Sequence, residues 1–242
     1  MFALSSRFFT TDALVIGSMR YREADRIVTL YTRDRGRLSA IAKGVRRTKS
    51  KVGGRLEPFS LVRASLYSGR GALYTVMGVE TVRTFQGVRD ELFRMEEGAR
   101  LLTAVRHLFP SEEASAPAFN LLVRGVARLA DAEDAAAASG VVLATRLKLL
   151  VLLGYAPEMS RCACCGSEGP LYGFSPGLGG VVCEPCVETA GTTCFALSAG
   201  AVSTLRALCV NALADIKDLE LDDRATAEVE QVLAQTLAFH GH

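Results

Sequence analysis

Cys162, Cys165, Cys183 and Cys186 are set as two Cys-x-x-Cys pairs with seventeen residues between them. Two intervening residues let a tight turn aim both sulfurs of a pair at one point. Four thiolates around one point are the donor set of a tetrahedral zinc ion, so the chain between the pairs must double back on itself. Gly166 after the first pair, and Gly177, Gly179 and Gly180 before the second, supply the bends for a ribbon or knuckle. The reading is one structural Zn2+ held by two hairpin-borne pairs, in an insert at about residues 160–195. The plainer alternative is a group of reduced, half-buried thiols whose spacing is accidental, since cysteine is often buried. A redox Cys-x-x-Cys fits less well, because that motif takes one pair at a helix N-terminus.

Seven cysteines do not make a disulfide framework here. Five lie within residues 162–186, the total is odd, and a chain of 242 residues can build a core without staples. Residues 1–11 are too short and polar for a secretory h-region, so a reducing cytoplasm is expected. The longest apolar run, around residues 141–153, is interrupted by Arg146 and Lys148, which speaks against a membrane span.

The net charge of +2 hides an asymmetry. Residues 1–80 hold 15 basic and 6 acidic groups, whereas the remaining 162 hold 13 and 20. An anion-binding module joined to an ordinary acidic domain has this pattern.

Hydrophobic period divides the chain in the same place. Ala13–Gly17, Arg26–Tyr31, Arg37–Ala42, Phe59–Tyr67 and Ala72–Val79 read as five short strands, with glycine-bearing turns at residues 32–36 and 68–71. The expected architecture over residues 1–81 is a five-stranded OB-fold β-barrel, with an SH3-like barrel as the second choice. From residue 82 the period becomes helical. Helices are expected over 90–109, 117–130 and 135–153, the last closed by Gly154. Two more follow the cysteine insert, one capped by Ser198 and running to 214, the other capped by Asp222 or Asp223 and running to about 239. The fold class is thus multi-domain α+β, with an α-helical C-terminal domain over 82–242 carrying the zinc ribbon.

Lys43, Arg46, Arg47, Lys49, Lys51 and Arg55 lie in one thirteen-residue stretch that contains no acid. Placed between two strands, it reads as a loop whose glycines let the backbone approach a phosphate chain. Arg33, Arg35 and Arg37 on the preceding hairpin extend the candidate DNA-binding set. Neutralising several phosphates releases counterions and gives salt-sensitive, sequence-independent binding. Tyr21, Tyr31, Phe59, Tyr67 and Tyr74 could stack on unpaired bases, although each is individually better placed as core. A solvated basic patch and an RNA-binding barrel are the competing readings.

A zinc-dependent hydrolase or deaminase would need an open coordination position and a general acid or base. The chain has only His107, His240 and His242, none in a His-x-Glu motif, and it lacks a Gly-x-x-x-x-Gly-Lys-Ser/Thr phosphate loop. No catalytic centre is expected. Cys164 and Cys194 lie close enough to the pairs to compete as ligands, and Cys209 reads as a buried helix-side thiol.

Several segments together resemble one family. Residues 13–21 followed by Arg22-Glu23-Ala24-Asp25-Arg26, then Tyr31-Thr32-Arg33-Asp34-Arg35-Gly36 and Ala42-Lys43-Gly44-Val45-Arg46-Arg47, are similar to the opening strands and basic loop of the bacterial recombination mediator family RecO. Gly154-Tyr155-Ala156-Pro157 before Cys162, and Gly179-Gly180-Val181-Val182-Cys183 before Cys186, complete the likeness from about residue 12 to 210. The resemblance implies a non-enzymatic DNA repair protein with an OB fold, a helical domain and a zinc element. It implies binding of single- and double-stranded DNA, annealing of complementary strands, and help for RecA in replacing single-strand-binding protein. The implied partners are RecR and the C-terminal tail of the single-strand-binding protein, at the nucleoid.

Overall fold

A computed structural model describes residues 7–45, 53–69, 71–110 and 112–240. The chain forms two compact units. One comprises Met1–Leu92 with Phe109–Ala130, the other Phe93–Leu108 with Asp131–His242. A single division at 81/82, as hydrophobic period suggests, does not reproduce this exchange of segments.

In the first unit, β1 (Phe8–Tyr21), β2 (Asp25–Thr32), β3 (Gly36–Ala42), β4 (Ser60–Ser68) and β5 (Tyr74–Thr84) close into a barrel in the order β1-β2-β3-β5-β4. All neighbours are antiparallel except β3 and β5, which pair in parallel at Ala40↔Tyr74 and Ile41↔Thr75. This is the OB arrangement. Closure depends on the 14 residues of β1. Its first half pairs with β4, from Phe8↔Tyr67 to Leu14↔Leu61. Its second half pairs with β2, from Ala13↔Thr32 to Tyr21↔Asp25, and a register shift between Val15 and Gly17 bends the strand.

Ala13, Val15, Leu30, Leu38, Val62 and Leu66 belong to one buried cluster inside the barrel. Leu14, Ile16 and Tyr31 alternate with such residues, yet they are fully buried too. Four helices precede the cysteine insert: α1 (Gln86–Asp90), α2 (Leu92–Leu108), α3 (Ala116–Ala130) and α4 (Ala135–Leu152). For Tyr31 the segment around α3 explains the burial. The Tyr31 ring lies 4.9 Å from that of Phe109 and 6.4 Å from that of Phe119 on α3, so this segment covers the outer face of β2. Its lead-in is tied down as well. Arg37 donates to the Pro110 carbonyl, and the Tyr74 hydroxyl meets Glu112 at 2.9 Å.

The second unit is built around α4. Asp134 caps it by accepting from the Ala137 N–H at 2.8 Å. At the other end Gly154, at φ +87, lets its own N–H reach the Val151 carbonyl and that of Tyr155 reach Leu150, a Schellman closure. By length and composition α4 could cross a membrane, but 61% of it is buried within the fold. The two charges that interrupt it are accommodated there. Arg146, 4% exposed, holds both oxygens of Glu230 at 2.6 and 2.8 Å, and Lys148 donates to the Cys209 carbonyl.

The insert contains β6 (Leu171–Ser175), β7 (Gly180–Cys183), α5 (Glu184–Thr189) and β8 (Phe195–Ala196), with sheet order β7-β6-β8. Then come α6 (Ala199–Val210), capped by Ser198 at 3.1 Å, and α7 (Asp223–His240), capped by Asp222 at 2.9 Å. α6 ends four residues earlier than its pattern suggests, and Ile216–Asp218 makes a separate 3-10 turn.

Gly36 tests the attachment of the 109–130 segment to the barrel. Its φ is +66, and a Cβ there would sit 2.4 Å from the Glu113 carbonyl oxygen. Gly36→Ala should cost about 1–2 kcal/mol from the left-handed backbone alone, with the contact adding to it. Gly54→Ala, with nothing within 4 Å of the new atom, should have a much smaller effect. Urea denaturation midpoints of the two variants provide the comparison.

Candidate metal centre and nucleic-acid interface

The first cysteine pair sits in a knuckle held by backbone bonds. The Cys162 N–H donates to the Ser167 carbonyl at 2.8 Å, the Gly166 N–H to the Cys162 carbonyl at 2.8 Å, and the Ala163 N–H to Val181 at 2.8 Å. The second pair lies at a corner instead of on a hairpin. Cys183 ends β7 and stands at the N-cap position of α5, and Cys186 falls in the helix's first turn. A helix start is the place expected of a redox pair, but these two thiols are not alone. All four sulfurs lie within 4.8 Å of one another, with Cys165 and Cys183 at 3.7 Å. Tetrahedral bonds of about 2.3 Å to one ion require sulfurs about 3.8 Å apart. The donor set therefore fits a metal ion.

Electrostatics at the cluster favour the same use. Burial works against ionisation of Cys162, but the N–H groups of Cys165, Cys183 and Cys164 outweigh it and bring the thiol down to about 6. The Cys183 N–H lies 3.3 Å from the Cys162 sulfur. Burial raises Cys183, and neighbouring Cys183 followed by burial raises Cys186. A cation at the centre would replace the protons these crowded thiols otherwise retain. Among the described residues the cluster contains no histidine or carboxylate. Cys194 packs beside it, but its thiol donates to the Thr192 carbonyl at 3.5 Å.

On the barrel, the nine candidate DNA-binding cations separate. Arg33 is exposed in the β2–β3 turn. Arg35 lies half-buried over the Phe9 ring, 4.0 Å from its centre, and Arg37 holds the Pro110 carbonyl. Lys43 is exposed at the far end of β3, and Arg55 is exposed while donating to the Val79 carbonyl at 2.8 Å. Arg46, Arg47, Lys49 and Lys51 lie outside the described residues, as does His242. The turn at 33–35 and Lys43 are thus separated by the seven residues of β3, roughly 20 Å.

The topology adds two cations that linear reading missed. Arg26 pairs with Ala42 across β2–β3, and with Arg20 across β1–β2. The β1–β2 turn therefore adjoins the end of β3 that carries Lys43. Arg20 and Arg22 are exposed there, with the Arg22 guanidinium 5.2 Å from the centre of the Tyr21 ring. In sequence they are diluted by Glu23 and Asp25, and only the register of β2 reveals their company. Asp25 is partly occupied in accepting the Gly44 N–H at 2.8 Å. OB folds bind oligonucleotides across strands 2 and 3 and the adjoining β1–β2 loop. Of the five candidate stacking rings, Tyr31 and Phe59 are core. Tyr67 meets Phe8 at 4.6 Å and Tyr74 meets Phe9 edge-on, which leaves Tyr21 at the β1–β2 turn.

Residues 6–85 match the family described as recombination protein O N terminal, and residues 90–241 match recombination protein O C terminal. The chain belongs to the RecO family. DNA repair protein RecO of Rubrobacter xylanophilus is 40% identical over 86% of this chain and 83% of its own length. That of Symbiobacterium thermophilum is 31% identical over 93% and 89%, and that of Pelotomaculum thermopropionicum 35% over 97% and 90%. The RecO match thus spans both the barrel and the cysteine-bearing unit.

Cys186→Ser should leave three of the four converging sulfurs and an incomplete donor set at the centre of the ribbon. Hydrogen exchange is expected to show loss of protection over β6, β7 and α5, while amides of β1–β5 keep theirs. Equal protection in Cys186→Ser and the native chain would mean that the ribbon folds without the cluster.

Proposed function

We propose that this RecO-family chain is a non-enzymatic recombination mediator in DNA repair. It binds single- and double-stranded DNA, anneals complementary strands, and with RecR assists RecA in loading onto DNA coated by single-strand-binding protein, whose C-terminal tail it contacts. The barrel within residues 1–81 is the nucleic-acid-binding domain, and residues 82–242 carry the helices and the zinc-bearing insert, with Phe109–Ala130 packed in the barrel's compact unit. The observation that carries this reading is the closed OB barrel, whose β1–β2 turn and β3 end bring Arg20 and Arg22 beside Lys43 at the start of the cation-rich stretch. Family membership over nearly the whole chain supports it.

Annealing needs no bond chemistry. Cations lower the repulsion between two phosphate chains, and ring stacking keeps bases unpaired until complements meet. The ion is one structural Zn2+ on Cys162, Cys165, Cys183 and Cys186. Four thiolates fill a tetrahedral shell and leave no position for an activated water. The work on DNA falls to Arg33, Arg35, Arg37, Lys43, Arg46, Arg47, Lys49, Lys51 and Arg55, joined by Arg20 and Arg22. A DNA partner and the free thiols are consistent with a cytoplasmic, nucleoid-associated protein.

Each phosphate contact contributes about 0.9 to the slope of log K against log salt on duplex DNA. Replacing Lys43, Arg46, Arg47, Lys49 and Lys51 together by alanine should lower the magnitude of that slope by up to about 4.5 and slow annealing. Fluorescence anisotropy at several salt concentrations reads the slope. A strand-annealing assay with and without single-strand-binding protein, at two salt concentrations, reads the activity. An unchanged slope would remove the stretch from the interface, and strong preference for RNA oligomers would favour an RNA-binding barrel.

A further inference from the structure

The outer face of β2 is sealed at one end and open at the other. Along it run Ile27, Thr29 and Tyr31, because residues two apart on a strand share a side. Val28 and Leu30 between them point into the barrel core. Tyr31 is fully buried against Phe109 and Phe119, whereas Thr29 and Ile27 are only half-buried. Cover is thus lost toward the β1–β2 turn.

Register lays an apolar row across this open end. Met19 of β1 pairs with Ile27 of β2, Ile27 with Ile41 of β3, and Ile41 with Thr75 of β5. Directly paired residues point to one side of a sheet. Met19 is 61% exposed and the two isoleucines are half-buried. The adjoining row, Gly17–Thr29–Ser39, is small, so the aliphatic side chains project past it.

Cations rim the row. Tyr21 lies two residues beyond Met19 and Lys43 two beyond Ile41, about 7 Å in each case. Lys43 is exposed, and so is Arg22, whose guanidinium lies 5.2 Å from the centre of the Tyr21 ring. Of the turn's two acids, Glu23 and Asp25, the second accepts the Gly44 N–H at 2.8 Å.

We propose that the Met19–Ile27–Ile41 row is the surface on which unpaired bases pack, and that it lets the barrel tell a single strand from a duplex. The inference rests on the DNA-binding reading given above. A base released from pairing offers an apolar face, and burying that face against aliphatic side chains is favourable. In a duplex the same face is stacked between its neighbours and does not reach the row, while the phosphates stay accessible. Arg22 and Lys43 therefore serve both forms of DNA, and the row serves one. Three side chains on adjacent strands span about 10 Å. That is room for one or two bases, and far less than the ~800 Å² that a protein partner covers. The cations beside the row match a polyanion.

The test begins with the native full chain, labelled at the methionine ε-methyl and isoleucine δ1-methyl groups for NMR. Oligothymidylate should shift the resonances of Met19, Ile27 and Ile41. A blunt duplex of equal length should bind and leave them in place. Anisotropy titrations then compare the double variant Met19→Gln, Ile41→Thr with the native chain. Its affinity for oligothymidylate should fall about tenfold, with duplex affinity and both salt slopes unchanged. Val210→Gln, at a residue 83% exposed on α6, should behave like the native chain. Unmoved methyl groups in a chain that binds oligothymidylate would overturn the proposal, as would equal shifts with the duplex. Equal losses of affinity for both DNAs, in a double variant that melts at the native temperature, would overturn it too. The methyl shifts are read on the native chain, so they decide the matter even where the double variant fails to fold. Binding of neither DNA would refute the DNA-binding reading itself, and this proposal with it.

Discussion

Barrel closure rests on β1 being long enough, and bent enough, to pair on both sides. Its first half completes the ladder to β4 and its second half the ladder to β2, with the register shift at Val15–Gly17 dividing them. Without that double pairing β2 and β4 would each present an open edge of unpaired N–H and C=O groups. The same strand sets the position of the β1–β2 turn. Because Tyr21 pairs with Asp25 and Arg26 with Ala42, the turn is delivered to the end of β3 where the basic stretch begins. The candidate interface follows from register, and register follows from one bent strand.

The ribbon answers a different constraint. Its short strands and one six-residue helix bury few large side chains, and the sulfurs themselves form much of its core. A module of this size normally needs a metal or disulfides, because its apolar burial does not offset the entropy of ordering the chain. Backbone N–H groups aimed at Cys162 prepare one thiolate, while burial raises Cys183, and the neighbouring Cys183 thiol followed by burial raises Cys186. A divalent ion bound by all four would take the place of the thiol protons.

What was legible in the chain tracks how each segment is buried. Residues 13–16 are buried on both faces, so they read as a continuous apolar run and the strand was found there. The flanks of β1 carry polar residues exposed on one face, such as Thr10 and Arg20, and they escaped notice. Helix starts are legible at Ser198 and at Asp222, one of two adjacent candidates, because cap chemistry is local. The assignment of α3 to the barrel unit was not, because Tyr31 meeting Phe109 and Phe119 is a contact across some eighty residues of sequence. Cys-x-x-Cys spacing disclosed the four ligands but not that the second pair would occupy a strand–helix corner.

Counting cations in a sequence says little about which of them carry charge that a polyanion can use. Arg26 and Arg63 lie in the basic half, yet each is matched to a carboxylate, Glu57 at 2.5 Å and Asp12 at 2.9 Å. DNA would have to compete with those partners. Arg35 and Arg55 are also held in place, but by neutral groups, a ring face and a backbone carbonyl. Such contacts fix the guanidinium without cancelling its charge, and a fixed charge loses less side-chain entropy when a phosphate arrives. The barrel thus distinguishes two kinds of bonded arginine. The charges of Arg26 and Arg63 are matched within the fold, whereas those of Arg35 and Arg55 are not matched by the ring face and the carbonyl that hold them.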